Sequence, residues 1–356
     1  MRILDITHLN RHAGMYAIFG SDGNLYIMQV GGSTILVAYL PGIGIEERIK
    51  LYVHEPWVCV TEHYGTHAAL VHLENGSVRE MSREDYYADV SSYSIGFLER
   101  NGRVLLICQT EWNRLNIIDA ETGECLTERK SPDYEDNDYV DYFHSLLHVS
   151  PDGEYFLSNG WIWHPIGQIL GFRTEDFLKT YESAKVSIDY RCEYNWDIPC
   201  TFIGKDRFVL VADNLRHSAL MGREELEGYV YKPLQFYNLS VPAIDNRYGE
   251  CLLTKEREAS CNAFKTDQYG KVHGELSWDA KYGCFAAITE DGAFALSVEG
   301  EVLDSLPDCK GSEVCADTDP GMKQSNDTGW HYSPEHHVLY HWSQDAEMIE
   351  EYRFRF

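Results

Sequence analysis

Apolar residues recur at every second position in short runs along the whole chain, and turn signals rather than helical stretches separate the runs. LYIMQV, TILVAYL, WVCVTEH, RVLLICQ, LNIIDA, RFVLVAD, LQFYNLS, CFAAIT, AFALSV and EMIEEYRF all carry this period of two. Asp-Gly stands at Asp22, Asp152 and Asp291, and Asn-Gly at Asn75 and Asn101. Such pairs take positive φ at little cost and therefore suit hairpins. Two segments have helical character: TEDFLKTYESA from Thr174, with a Thr cap and an acidic first turn, and a single turn near Arg223. The pattern predicts an all-β chain.

A longer period lies over the first. Seven times a tight turn leads into a short apolar strand: SDGNLYIM from Ser21, YGTHAALV from Tyr64, RNGRVLLI from Arg100, SPDGEYFLS from Ser150, GKDRFVLV from Gly204, SWDAKYGCF from Ser277 and SPEHHVLYH from Ser333. The strands after these turns begin near residues 24, 67, 103, 154, 207, 281 and 336, a mean step of about 52 residues. Each is expected to be the second strand of a four-stranded unit. The third unit then reads SIGFLE, RVLLICQ, RLNIIDA, CLTER; the fourth FHSLLHV, EYFLS, WIWHP, ILGFR; the sixth HGELSWD, YGCFAAIT, AFALSV, VLDSL. The last unit is one strand short after EMIEEYRF, while RILDITHL at the start has no unit.

The four-strand period and the SPDG-type turn resemble the WD-repeat and YVTN-type β-propellers over essentially the whole chain. No unit has the Gly-His start or the Trp-Asp close of a true WD repeat; Trp196-Asp197 and Trp278-Asp279 precede or end expected first strands instead. The resemblance implies a seven-bladed β-propeller of four-stranded antiparallel blades, a single domain over residues 1–356. A six-bladed ring and a sheet sandwich are the rivals. Pairing of the N-terminal strand with the C-terminal blade would close the ring and remove exposed edges.

The net charge of −27 excludes partners that need a basic patch, namely a nucleic-acid backbone or an anionic membrane surface. A basic protein is the compatible partner. MRILDITHLNRH has no apolar stretch of signal-peptide length, no window approaches a membrane span, and a cytoplasmic, monomeric protein is expected. The ten cysteines are dispersed, several inside apolar strands as at Cys59 and Cys108, which predicts free thiols rather than a disulfide framework.

Antiparallel order puts first-to-second and third-to-fourth turns on one rim and the other connections on the opposite rim. The long connections, 130–142, 174–197, 213–233 and 307–329, fall on the second rim and are more than twice as acidic per residue as the rest of the chain. Long ordered loops usually serve a function. Candidate binding residues are Asp133, Tyr134, Glu135, Asp136, Asp138, Tyr139 and Asp141 in the first loop and Arg191, Glu193, Tyr194, Trp196 and Asp197 in the second, with Trp112 between strands. Aromatic residues among charges are the composition of interface anchors.

Catalytic and metal motifs are weak. His63, His67 and His72, His144 and His148, and His336, His337 and His341 invite a metal reading, but positions i and i+4 on a strand lie about 13 Å apart. The stretch from Asp133 departs from a calcium loop at its sixth position, Asp138, and its twelfth, His144. No P-loop, nucleophile elbow or Cys-x-x-Cys pair occurs, and no cofactor is expected. Trp161 and Trp163 are expected to pack between blades. The expectation is a non-catalytic module binding a basic protein through an acidic rim, one version being an immunity- or antitoxin-like protein of bacterial type. The alternative is an enzyme or a small-ligand or metal-binding propeller with its site at the axial mouth, where Arg191, Glu193 and His273 could contribute.

Overall fold

The computed structural model describes residues 2–11, 13–127, 133–136, 139–180, 185–212, 230–241, 244–245, 251–266, 271–311, 329–343 and 346–355. Seven small sheets follow one another along the chain. Blade 1 is β1 (Ile3–His8), β2 (Met15–Gly20), β3 (Asn24–Gln29) and β4 (Thr34–Tyr39). Blade 2 is β5 (Ile49–His54), β6 (Trp57–Glu62), β7 (His67–His72) and β8 (Val78–Ser82), and blade 3 is β9 (Ile95–Arg100), β10 (Arg103–Glu111) and β11 (Arg114–Asp119). Blade 4 is β12 (Phe143–Val149), β13 (Tyr155–Ile162), β14 (Ile166–Arg173), a turn of helix α1 (Thr174–Phe177), and β15 (Val186–Glu193).

Blade 5 begins with β16 (Cys200–Phe202), β17 (Arg207–Val211) and β18 (Leu234–Asn238). Its third connection sends out β19 (Ile244–Asp245) and β20 (Cys251–Leu253), which extend the blade 4 sheet by parallel pairing of Ser187 with Leu252, before β21 (Arg257–Ala259) completes blade 5. Blade 6 is β22 (Glu275–Asp279), β23 (Cys284–Thr289), β24 (Gly292–Leu296) and β25 (Val302–Leu306); blade 7 is β26 (His331–Ser333), β27 (Val338–Ser343) and β28 (Met348–Tyr352).

Burial explains why these runs are strands. The second strands β6 and β23 are buried on both faces along their whole length, whereas the outer strands β4, β8 and β25 are largely exposed. A strand clamped between two neighbouring sheets must be apolar on both sides. Each seam between blades holds its own core cluster: Phe19 with Val58, Leu70 with Leu106, Ile107 with Phe156, Leu157 with Phe208, Val209 with Phe285, and Ala286 with Leu339. The seventh cluster joins Ile3, Ile6, Tyr16 and Ile18 to Val338, Tyr340 and Ile349 and closes the ring.

That closure corrects the sequence reading. β1 pairs with β2, from Ile3 opposite Gly20 to His8 opposite Tyr16, and is the first strand of blade 1 rather than a fourth strand of blade 7. The turns at Asp22 and Tyr64 precede third strands, β3 and β7, so blades 1 and 2 each start one strand earlier than expected. The ring closes by side-chain packing, with the Tyr16 hydroxyl donating to Glu351 Oε1 (2.6 Å) and the His8 amide to the Tyr340 hydroxyl (3.2 Å).

Blade 4 also differs. EYFLS and the start of WIWHP form one eight-residue strand, β13, because the chain runs straight through Gly160, whose amide donates to the Tyr142 hydroxyl (2.7 Å). A Cβ at Gly160 would lie 2.0 Å from the Phe143 carbonyl oxygen, so only glycine allows this approach. ILGFR is consequently the third strand, and residues 186–193 form the fourth. Thr174 is the first helical residue rather than the cap, and its hydroxyl donates to the Gly153 carbonyl (2.6 Å). In blade 3, CLTER enters the fourth-strand position through the bridge between Ile118 and Cys125, and continues outside the described residues.

Candidate functional site

On the second rim, over blades 2 to 4, the connection 83–94 is built around a buried arginine. The Arg83 guanidinium donates to the carbonyls of Gly65 (2.8 Å), Ala88 (2.9 Å), Ser91 (2.7 Å) and Ser92 (3.2 Å) and to Gln109 Oε1 (2.6 Å), and it lies 4.8 Å from the Tyr93 ring centre. Burial lowers its pKa to about 10, which leaves it charged at neutral pH. Two indoles pin the same loop: Trp161 Nε1 donates to Ser91 Oγ (3.0 Å) and Trp196 Nε1 to the Val90 carbonyl (3.2 Å). Main-chain bonds tie the seams at this level, from the Tyr93 amide to the His63 carbonyl (2.8 Å) and from the His144 amide to the Trp112 carbonyl (3.0 Å).

The loop delivers Tyr86 and Tyr87 to an aromatic cluster. Tyr86 packs against Tyr87 (4.9 Å between centroids), Trp112 (5.8 Å) and Phe143 (5.8 Å), while Tyr87 meets Trp161 (5.8 Å) and Trp163 (5.2 Å). Trp112 lies 4.4 Å from Phe143 and 6.5 Å from Tyr139, which in turn contacts Tyr134 at 5.3 Å. Partial burial, the Asp141 carboxylate and the phenols of Tyr134 and Tyr86 all raise the Tyr139 pKa. Tyr134 is 79% exposed and Tyr86 47%, so the cluster has a buried floor and an open top. The exposed carboxylates of Glu84, Asp85, Asp89, Asp133, Glu135, Asp136 and Asp141 belong to the two loops that carry these tyrosines. Glu84 Oε1 also accepts from the Trp112 amide (2.6 Å), which ties the first of these loops to the turn between β10 and β11.

The structure brings Trp112, Tyr134 and Tyr139 into this one cluster. Trp196 reaches its floor, 5.4 Å from Trp161, but is 1% exposed and therefore a support rather than a contact surface. Arg191 and Glu193 are not loop residues: they sit on β15, opposite Gln168 and Ile166, with Arg191 exposed and Glu193 half-buried. Tyr194 is 40% exposed. The segment 174–197 divides between two rims, since α1 lies on the first and 194–197 on the second. Asp138 lies outside the described residues. Trp161 is buried as expected of a packing residue, whereas Trp163, in the turn after β13, is 40% exposed on the rim.

Asp197 lies elsewhere, buried at the axis. Its Oδ2 accepts from Ser92 Oγ (2.8 Å) and Ser145 Oγ (2.8 Å), and its Oδ1 accepts from the Leu146 amide (2.9 Å). Burial raises its pKa to about 6 despite these donors. Tyr87, Tyr194 and Asp197 all have φ of 54°, in the left-handed region that non-glycine residues rarely occupy. Such backbone persists where surrounding structure over-determines it, and it concentrates at functional sites.

The sequence reading missed Glu84, Asp85, Tyr86, Tyr87 and Asp89. Their signal was available: REDYYADV has the same acid–tyrosine composition as DYEDNDYVDY. Among the described residues no group of three His, Cys, Asp or Glu side chains is placed to hold a metal ion, and eight cysteines, Cys59, Cys108, Cys125, Cys192, Cys200, Cys261, Cys284 and Cys309, are free thiols, all but Cys125 buried. No described helix is long and apolar enough to cross a membrane.

No protein-family model matches the chain, and no curated protein resembles it in sequence. Among solved structures it is similar to the WD40 domain of Neurospora crassa Pan2, with a TM-score of 0.51 and 8% identity, covering 95% of this chain and 85% of that one. At that identity the likeness carries the fold alone, a seven-bladed β-propeller.

Proposed function

We propose that this chain is a protein-binding module whose docking surface is the second rim over blades 2 to 4, and that its partner presents a basic segment. The observation that carries the reading is the open aromatic cluster of Tyr86, Trp112, Tyr134 and Tyr139 set among seven exposed carboxylates. Rigid aromatic rings supply contact area at low entropic cost, and flanking carboxylates steer a cationic partner and fix its register. The WD40-type fold accords with a scaffold that presents such a rim. The finer reading, neutralisation of a cationic toxin domain, rests on the net charge of −27 and stands or falls with the partner's identity.

Capture from the native host on immobilised protein, at low and high salt, tests the proposal. Exposed charges are screened over about 8 Å at physiological ionic strength, so a basic partner is expected to be retained at low salt and released at high salt. Capture of no basic protein, or capture indifferent to salt, would overturn it.

A further inference from the structure

The axis of the ring holds a cavity of about 300 Å3, walled by β5, β12, β16 and β22 and by the turn at His63 and Tyr64. Four buried polar atoms of its lining have no hydrogen-bond partner: Tyr52 Oη, His63 Nδ1, His148 Nε2 and Glu275 Oε1. His63 is itself 4% exposed, and its other ring nitrogen is engaged by Ser92 Oγ at 3.3 Å. Native interiors satisfy most buried polar groups, so four unsatisfied atoms around one cavity mark a place shaped for a polar occupant.

The charges narrow the chemistry. Lys50 and Glu275 face the same cavity, yet they form no ion pair with each other, and Lys50 has no carboxylate within ion-pair distance among the described residues. The wall beside them is already saturated, since both Asp197 oxygens accept hydrogen bonds from Ser92, Ser145 and Leu146. Burial holds the His63 and His148 imidazoles in their neutral form, as hydrogen-bonding groups rather than charges. Two opposite charges that share a cavity without pairing are complementary to a molecule that bears both. A purely anionic ligand would leave Glu275 unmatched, and a purely cationic one would leave Lys50 so. Leu147, Ile198 and Leu276 line the remaining wall and suit a short apolar stem.

We propose that the axial cavity binds a small zwitterion of about ten heavy atoms, with a carboxylate toward Lys50 and an ammonium toward Glu275, the chemistry of a free amino acid. The site is independent of the rim reading, because it needs no protein partner.

The test is titration calorimetry on the full chain with each of the common free L-amino acids as probe, followed by the N-acetylated and C-amidated forms of the best binder. One-to-one binding is expected from at least one amino acid, with each blocked form about tenfold weaker or worse. Lys50→Met and Glu275→Gln should each weaken binding about tenfold while circular dichroism and Tm show an intact fold, since each removes a half-buried charge that no direct ion pair holds in place. Absence of binding by every amino acid at about 10 mM, or binding that survives acetylation, amidation or either substitution, overturns the proposal.

Discussion

The Trp161 indole lies flat on the Phe143 ring, with centroids 3.7 Å apart and planes within 3° of parallel. This stack is the floor of the rim cluster, and it joins the first strand of blade 4 to its second while the indole N–H holds Ser91 of the preceding loop. Trp161→Ala is expected to cost about 3–5 kcal/mol, the range for truncating a buried aromatic residue. Urea unfolding measures it; a loss under about 1 kcal/mol would show that the stack supports nothing.

Two glycine substitutions separate steric necessity from composition. A Cβ at Gly167 would lie 1.7 Å from the Asn195 carbonyl oxygen, whereas one at Gly204 meets nothing within 4 Å. Gly167→Ala should therefore destabilise by about 3 kcal/mol or more through displaced backbone, and Gly204→Ala should stay within about 0.5 kcal/mol of the parent. Equal melting temperatures for the two variants would refute this account of how β14 approaches the 194–197 turn.

Asp197 makes stability depend on pH in a defined direction. Its folded pKa of about 6 lies above the ordinary 3.8, so the folded chain binds this proton more tightly than the unfolded one. The resulting stabilisation is fully present below about pH 3.8 and is lost as pH rises through about 6. His8 and His148, both lowered to about 4, act oppositely: stability rises with pH between about 4 and 6.5 as the unfolded chain gives up protons that the folded chain never bound. In Asp197→Asn the histidines act without this counterweight, so the variant should gain on the parent as pH rises from 4.5 to 7.5, by on the order of 2 kcal/mol. Parallel stability curves would exclude a raised Asp197.

The rim reading predicts separable effects of shape and charge. Tyr86→Ala with Tyr134→Ala removes two exposed rings and should weaken partner capture about tenfold or more without lowering Tm. Glu135→Lys with Asp136→Lys should instead flatten the salt dependence and slow association. If the aromatic pair changes nothing while the charge pair abolishes capture, the interaction is purely electrostatic and the cluster is packing alone.

Much of this architecture was legible because a propeller repeats its physics. Strands clamped on both faces, such as CFAAIT, are continuously apolar, and hairpins need Gly-bearing turns. What the residues did not disclose was which hairpin a turn closes. The turn at Asp22 and the turn at Asp152 look alike in sequence, but one joins β2 to β3 and the other β12 to β13. That ambiguity displaced blades 1 and 2 by a strand and left β1 without a blade. Among the candidate contacts that composition offered, Tyr134 lies exposed on the rim, whereas Trp196 and Asp197, in the turn after β15, are buried. Exposure of an aromatic or a carboxylate follows from neighbours distant in sequence, such as Val90 against Trp196 and Ser92 against Asp197.

The main-chain bonds that cross the seams of blades 2, 3 and 4, from Tyr93 to His63 and from His144 to Trp112, have a kinetic as well as a structural meaning. Together with the Arg83 bonds they hold the backbone beneath the aromatic cluster in one arrangement. A partner docking as proposed would meet a backbone and an aromatic floor that are already ordered. Its association should proceed close to rigid-body docking, governed by encounter and orientation rather than by loop ordering.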